Sequence, residues 1–400
     1  MSERLPVSAI VSLGATQIIG YGTLYYSFSI LAPDMALEFN WPVEWVFGLL
    51  SASLFLSGLA APLAGRWMDR FGAGRVMALG SLAAALSLVV CAVAPNPAVF
   101  VAGILCVELA ANLVQYGAAF SLLVQIRPRE ASRSITYLTL IAGFASTIFW
   151  PITTFLHGQM DWREVYLVFA ALNLLLCLPL HGWLGIQGKV GTRNTAALGR
   201  GEPVVGILPA SVRDSGFRLM LAGMGLLSFV NSALLFHLVP VLTGLGLGQT
   251  AVLVATVFGP AQVLSRFTNM IFGQNLKPLH LAVLTALLAP SAIFILSVSY
   301  PAIPGALLFA TVFGFGSGLA SIVFGTLPLV LFGSEGYGAR QGQMTLVRLV
   351  ASAISPFGLA FLLETSGADV VLWSLVVLGL VAGALFVALA RLGRHAVQPA

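Results

Sequence analysis

Charge is scarce in this chain. Only 8% of its 400 residues are Asp, Glu, Lys or Arg, against about a quarter in soluble domains. With 58% hydrophobic residues and a mean hydropathy of +0.98, the composition reads as an all-α polytopic membrane protein. Cysteine is scarce too. Cys91, Cys106 and Cys177 each lie inside an apolar run, which argues against a disulfide framework or a zinc site. There is no His-Glu-x-x-His, no Cys-x-x-Cys and no Walker-type glycine loop. A membrane protease, a redox enzyme and an ATP-driven pump therefore have no machinery, and neither enzymatic activity nor a cofactor or metal is expected. The formal net charge of +5 is spread over short loops without a basic stripe, so nucleic acid is not an expected partner. The first apolar run is too long for a cleaved signal and carries Gln17, Tyr21, Tyr25 and Tyr26. It is expected to be a true first span.

What is present is a series of long apolar runs. A hydrocarbon core of about 30 Å needs about 20 helical residues, and on that ruler twelve spans are expected. The first six lie near Ser8–Met35, Val43–Ala64, Val76–Ala94, Pro97–Ile126, Ser134–Phe155 and Glu164–Leu184. The second six lie near Phe217–Leu242, Thr250–Phe272, Leu279–Val298, Ile303–Phe332, Gln341–Leu363 and Val370–Ala390. The sole long polar break holds Lys189, Arg193 and Arg200 with several glycines. It divides the chain into a half of residues 1–185, a cytosolic linker of 186–215 and a half of 216–400.

Basic residues set the orientation. Sixteen arginines and lysines fall on one side of the twelve-span arrangement and only Arg163 on the other, with Arg266 and Arg348 inside spans. Both termini are therefore expected in the cytosol. The halves also read as repeats. Gly65 and Gly273 stand 208 residues apart, and Pro151 and Pro356 stand 205 apart. Such offsets fit one duplicated six-helix unit. Lys277 occupies the place of Asp69 in the second copy, so a charge latch built on Asp69 is one-sided.

Residues 65–75 read as a charged, glycine-rich turn at one membrane face. Gly65 suits close helix approach, and Gly72 and Gly74 suit the positive φ of a reversal. Asp69 can pair with a neighbouring arginine or sit at the positive N-terminus of another helix. Inside the spans, Glu108 lies eleven residues beyond Pro97, about 16 Å along a helix and near the midplane. Asn112, Gln115 and Tyr116 follow on the same face. That stripe is either an interhelical hydrogen-bond seam or the lining of an aqueous cavity. Gln17 and Tyr21 form a second stripe with Tyr25 beside it, and Asn231 adds an amide in the seventh span. Arg266 and Arg348 outnumber the one deep carboxylate. The surplus charge calls for an anionic ligand or for snorkelling to the cytosolic boundary.

The turn resembles the loop between helices 2 and 3 of the major facilitator superfamily, G-x-x-x-D-[RK]-x-G-[RK]-[RK]. Gly65, Asp69, Arg70 and Gly72 match, and Arg75 falls one residue late. The stretch from Gly20 to Phe28, followed by Glu38-Phe39-Asn40-Trp41, is similar to the monocarboxylate-transporter and oxalate/formate-antiporter branch. The resemblance implies two six-helix pseudo-repeats of the major facilitator fold, rocking about a central site. It implies a secondary active, proton-coupled carrier of a small organic anion. The branch places a substrate-binding arginine in helix 8, which matches Arg266; Gln262 stands where several members carry an aspartate. The expected site is thus Arg266 with Asn112, Gln115, Tyr116, Gln17, Tyr21, Tyr25 and Asn231. Glu108 is the expected proton-coupling group, and Gly65, Asp69, Arg70, Gly72 and Arg75 the expected latch. The expected setting is the bilayer of a plasma membrane, a bacterial inner membrane, with the protein as a monomer. The alternative is proton-driven efflux of a hydrophobic or cationic compound through Glu108; a non-transporting scaffold would leave the mid-membrane stripe unexplained.

The orientation is testable by labelling. Single cysteines at Thr195 and Gln159, in an otherwise cysteine-free chain, should react from opposite sides of intact cells. Reaction from the same side overturns the twelve-span arrangement.

Overall fold

Hydrocarbon offers a backbone no hydrogen-bond partner, so a chain this apolar must satisfy its own N–H and C=O groups within helices or a closed barrel. The computed structural model describes residues 7–186, 203–273 and 276–395, and among them helix dominates with no β-strand beyond the isolated bridge Val205–Gly333. Residues 187–202 of the expected linker, with Lys189, Arg193 and Arg200, lie outside the described residues.

Six apolar helical segments precede the linker: α1 (Val7–Glu38), α2 (Val43–Phe71), α3 (Ala73–Ala92), α4 (Pro97–Ile126), α5 (Pro128–His157) and α6 (Trp162–Ile186). After it come α7 (Ala210–Phe236), α8 (Thr250–Phe272), α9 (Pro278–Ser299) and α10 (Ile303–Phe332). A last stretch, Tyr337–Leu392, is long enough for two crossings. Gly367, with φ 79° and ψ 169°, breaks the helix there and separates α11 (337–366) from α12 (368–395). Twelve spans result among the described residues, and the expected ends of the eighth and tenth coincide with the observed ones.

The charged turn is shorter than the sequence implied. Helix α2 runs on through Arg66, Asp69 and Arg70 to Phe71, and the reversal is made by Gly72 alone, at φ 90°. Gly74 is helical rather than a second reversal point; a Cβ on it would lie 2.4 Å from the Cα of Gly185, so its role is contact between α3 and α6. Three spans are also less regular than periodicity implies. Helix α1 contains a π-helical turn at Gly22–Tyr26, and α6 contains one at Asn173–Cys177. Helix α4 is interrupted at Gln115, whose φ of −78° and ψ of −167° are extended. The expected continuous face from Glu108 to Tyr116 is therefore broken one residue before its end.

The chain forms two compact units, Met1–Val204 with Ser334–Leu346 and Val205–Gly333 with Val347–Ala400. In the first, α3 packs closely on α4 and α6, and α2 on α4. Small residues allow the approach: a Cβ on Gly80 would lie 2.5 Å from Leu113, and one on Gly103 would lie 2.5 Å from the Cys91 sulfur. The first turns of α11 belong to this unit, and a Cβ on Gly65 would overlap the carbonyl of Gly338. In the second unit α10 is the buried centre between α8 and α9. Gly318 brings its backbone so near α8 that a Cβ would collide with the carbonyl oxygen of Gln262 and the hydroxyl of Ser265.

The chain entering α7 is strapped to the end of α10. The amides of Ile207 and Leu208 donate to the carbonyls of Val330 and Leu331 at 3.0 and 3.1 Å, and Arg213 Nε donates to the Leu208 carbonyl at 2.9 Å. In the other unit, Ser334 and Val204 exchange bonds of 2.9 and 3.0 Å. The last carbonyls of a helix have no intrahelical donor, and this extended strap supplies one.

Candidate functional site

The first unit gathers its polar and aromatic groups where its helices are irregular. With Gln115 extended, the amides of Ala118 and Ala119 both turn to the Gln115 carbonyl, which leaves the Val114 carbonyl without its helical donor. Gln17 Nε2 of α1 donates to that carbonyl at 2.7 Å. Gln17 is 1% exposed, and its Oε1 has no partner among the described residues. The two π turns are tied in the same way. Asn173 Nδ2 donates to Thr23 Oγ1 and to the Phe169 carbonyl, both at 2.9 Å, which joins α6 to α1 at their distorted turns. Thr23 and Asn173 escaped the sequence reading; their sole signal is a pair of polar residues in apolar runs.

Around these turns the rings meet. Tyr116, the first residue after the break, stacks on Phe120 with centroids 5.1 Å apart and meets Tyr21 at 4.8 Å. Tyr21 touches Tyr26 at 6.4 Å, and Tyr26 contacts Tyr25 and Trp150 edge-on at 5.3 and 6.1 Å. Five of the expected site residues, Gln17, Tyr21, Tyr25, Gln115 and Tyr116, thus belong to one region of α1 and α4.

Glu108 and Asn112 sit further along α4 and share a partner on α2. The Ser57 hydroxyl donates to the Glu108 carbonyl at 2.7 Å. Asn112 Nδ2 donates to the Ser57 carbonyl and hydroxyl at 2.6 and 2.7 Å. Asn112 also lines a small cavity beside Ala61, Gly65 and Gln341. The amide of Asn112 therefore binds α4 to α2, while Glu108 is 5% exposed.

In the second unit Arg266 is 5% exposed. Its Nε approaches the Gly318 carbonyl at 3.4 Å and Ser321 Oγ at 3.2 Å, both on α10. Its Nη1 is buried without a hydrogen-bond partner among the described residues. One turn earlier Gln262 Nε2 donates to Ser317 Oγ at 2.8 Å. The described carboxylates of this unit are Asp214, Glu364 and Asp369, all near helix ends. The guanidinium is thus held by two long bonds to neutral oxygens. Arg348 differs: it is half-buried, with its guanidinium carbon 5.4 Å from the Phe324 ring centroid. Asn231 on α7 also has a buried Oδ1 without a partner among the described residues. Ser232 beside it bonds Ser352 at 2.7 Å, and His237 Nε2 lies 3.0 Å from the Pro356 carbonyl.

Asp69 takes the helix-terminus option. Its Oδ1 accepts from the Gly338 amide at 2.9 Å and its Oδ2 from the Ala339 amide at 2.7 Å, both in the first turn of α11. A carboxylate there satisfies two orphan donors and faces the positive end of the helix. Arg70 lies over the Phe71 ring at 5.2 Å, and Arg75 is exposed.

At the opposite ends of the first unit's spans, Asp161 and Glu164 form a reciprocal cap at the start of α6. Arg163 next to them donates to Glu38 Oε1 at 2.5 and 2.8 Å and to the carbonyls of Ala92 and Ala94 at 2.7 and 2.9 Å. It thereby joins the ends of α1, α3 and α6.

The profile of the Major Facilitator Superfamily matches residues 13–356. The chain belongs to the major facilitator superfamily. Membership makes it a multi-pass membrane protein and a transporter of the secondary class. Solved structures agree in fold. A human organic anion transporter, MFSD10 (TETRAN), is 16% identical, with 96% of this chain and 100% of that one covered and a TM-score of 0.71. The proton:xylose symporter XylE is 14% identical over 95% of each chain, at a TM-score of 0.66. FucP in an outward conformation is 13% identical over 98% of this chain and 99% of its own, at 0.67. Identities this low carry the fold and nothing finer. No curated protein matches the sequence.

For this superfamily member Asp69→Asn should lower turnover while leaving substrate affinity and folding nearly unchanged. The substitution keeps one acceptor for the α11 amides and removes the charge, at a stability cost of about 1 kcal/mol or less at an exposed position. Transport rates and equilibrium binding on the same preparation check it. Wild-type turnover in the variant would make the cap a purely structural contact.

Proposed function

We propose that the protein is a proton-coupled carrier of a small organic anion such as a monocarboxylate, with Arg266 as the group that binds the carboxylate. The observation that carries this reading is the buried Arg266 Nη1, which has no hydrogen-bond partner among the described residues, in a unit whose described carboxylates all lie near helix ends. A guanidinium within a span is costly, and it persists where a ligand or fixed oxygens complete its donors. The carbonyl and hydroxyl contacts at 3.4 and 3.2 Å both fall on Nε. A planar carboxylate matches the guanidinium fork by two parallel bonds. The likeness of Gly20–Phe28 to the monocarboxylate branch supports the reading, and so does the shared fold of a protein described as an organic anion transporter.

Glu108 is the proposed proton carrier. It is the one carboxylate deep within a span, and hydration that changes during alternating access alters how readily such a group holds a proton. Asp69 is the proposed latch, since α11 begins in the first unit and continues into the second beyond Leu346. The termini and the linker are proposed to be cytosolic, in a bacterial inner membrane.

Binding of acetate, lactate and oxalate to purified protein tests the anion reading. Arg266→Lys keeps the charge and loses the fork, and should weaken binding several-fold. Arg266→Ala should weaken it roughly 10- to 100-fold, as expected for lost hydrogen bonds to a charged group, while the protein still folds. Full anion affinity in Arg266→Ala, or wild type that binds only cations, replaces this reading with efflux of a cationic compound. For Glu108, the expected outcome of Glu108→Gln is loss of proton-driven accumulation with substrate exchange retained in proteoliposomes. Unchanged pH dependence of transport would return Glu108 to the α2–α4 seam.

A further inference from the structure

At the end of the first unit marked by the charged turn, α3 and α6 meet through glycine backbones and then leave a hollow. Gly74 and Gly185 make the contact: a Cβ on either would lie 2.4 or 3.1 Å from the backbone of the other. Beside it is a groove of about 360 Å³, lined by those two glycines with Arg75, Ala78, Leu79, Gly182 and Ile186. All of them belong to the first unit. Gly182 differs from Gly74 and Gly185, because a Cβ on it would meet nothing within 4 Å. Glycine weakens a helix interior, and here no close approach calls for it. What its missing side chain does is leave the groove open.

The groove lies on the lipid side. On α3 the exposed residues Arg75, Leu79, Leu82, Leu86 and Val90 recur at helical spacing along the span. An exposed apolar face of that length on a span contacts hydrocarbon. Arg75, in the first turn of α3, is its one charge. Trp183, beside Gly182 and three residues before the end of α6, is 36% exposed and marks the headgroup depth, where tryptophan collects. The Arg75 side chain forms no hydrogen bond or ion pair among the described residues, and the Asp69 contact with α11 does not involve it. The positive end of α3 adds to its charge. A cation at headgroup depth above an apolar hollow complements a lipid with an anionic head and an acyl chain. A soluble anion would use the cation and leave the hollow empty.

We propose that the groove between α3 and α6 binds one anionic phospholipid, with its phosphate on the Arg75 guanidinium and an acyl chain in the hollow that Gly182 keeps open. This site is separate from the anion-carrier reading and does not depend on it, since Arg266 belongs to the other unit and takes no part.

The test is native mass spectrometry of the delipidated full-length protein, titrated with phosphatidylglycerol or with phosphatidylcholine of the same chains. For the first lipid bound, wild type should favour phosphatidylglycerol about fivefold, the scale of one basic side chain at a membrane surface. Arg75→Gln should bring the two lipids level. Gly182→Leu enters open space without a clash and should weaken both lipids several-fold, whereas the smaller Gly182→Ala should keep most of the binding. Glycerol 1-phosphate, a head without chains, should not displace the bound lipid. Equal affinities in wild type, or a phosphatidylglycerol preference that survives Arg75→Gln, overturn the proposal. Full lipid binding in Gly182→Leu places the lipid elsewhere on the surface and also overturns it. Displacement by glycerol 1-phosphate makes the site one for a free anion. Failure of wild type to bind either lipid leaves the groove to residues 187–202 of the chain, which follow Ile186, and overturns the proposal as well. None of these outcomes touches the dependence of carboxylate binding on Arg266.

Discussion

The lack of any backbone partner in hydrocarbon governs this structure. Each helix answers it with internal bonds, and every departure from the regular helix has to be answered separately. Where Gln115 interrupts α4, the freed Val114 carbonyl is taken by Gln17 from another span. The π turn of α6 directs Asn173 to the π turn of α1 through Thr23. The final carbonyls of α10 are met by the strap leading to α7. Irregularity is therefore concentrated where a second element supplies the missing bond, and the polar side chains of the first unit gather there.

The same constraint separates two kinds of buried polar group. Ser57 and Asn112 complete each other and hold α2 against α4. Their worth is structural, because interhelical bonds in a membrane protein contribute modestly, about 1 kcal/mol or less on average. Arg266 is different in kind, being charged, buried and incompletely satisfied. A fold held by mutual satisfaction retains such a group at a cost, and a ligand that arrives with a carboxylate would relieve it. The contrast with Arg348, half-buried against Phe324, shows that depth along a helix does not predict environment.

Asp69 links local electrostatics to chain organisation. Its carboxylate caps the first amides of α11, and Gly65 one turn earlier lets α11 come close enough for that cap to form. The glycine and the aspartate of the motif thus serve one contact: the first removes a side chain from the path and the second fills the helix terminus with charge. No equivalent carboxylate stands in the second copy, where Lys277 precedes α9.

Composition and hydropathy alone determined that this is a twelve-span helical membrane protein. The ends of α8 and α10 were readable to the residue because the length of an apolar run is a local property. Glu108 and Arg266 were conspicuous for a similar reason, since a charge within such a run is visible without any neighbour. Tertiary structure decided the rest. A 3.6-residue periodicity assumes a continuous helix, so it carried the α4 stripe past Gln115, where the break depends on Gln17 from a segment about a hundred residues earlier. It likewise missed the π turns, whose altered bonding is stabilised by the contact of Thr23 with Asn173. Whether Asp69 would face an arginine or a helix end was open in the sequence, because both partners are electrostatically suitable. The packing of α11 against Gly65 chose the helix end, and packing is a property of the folded chain that no single stretch of residues contains.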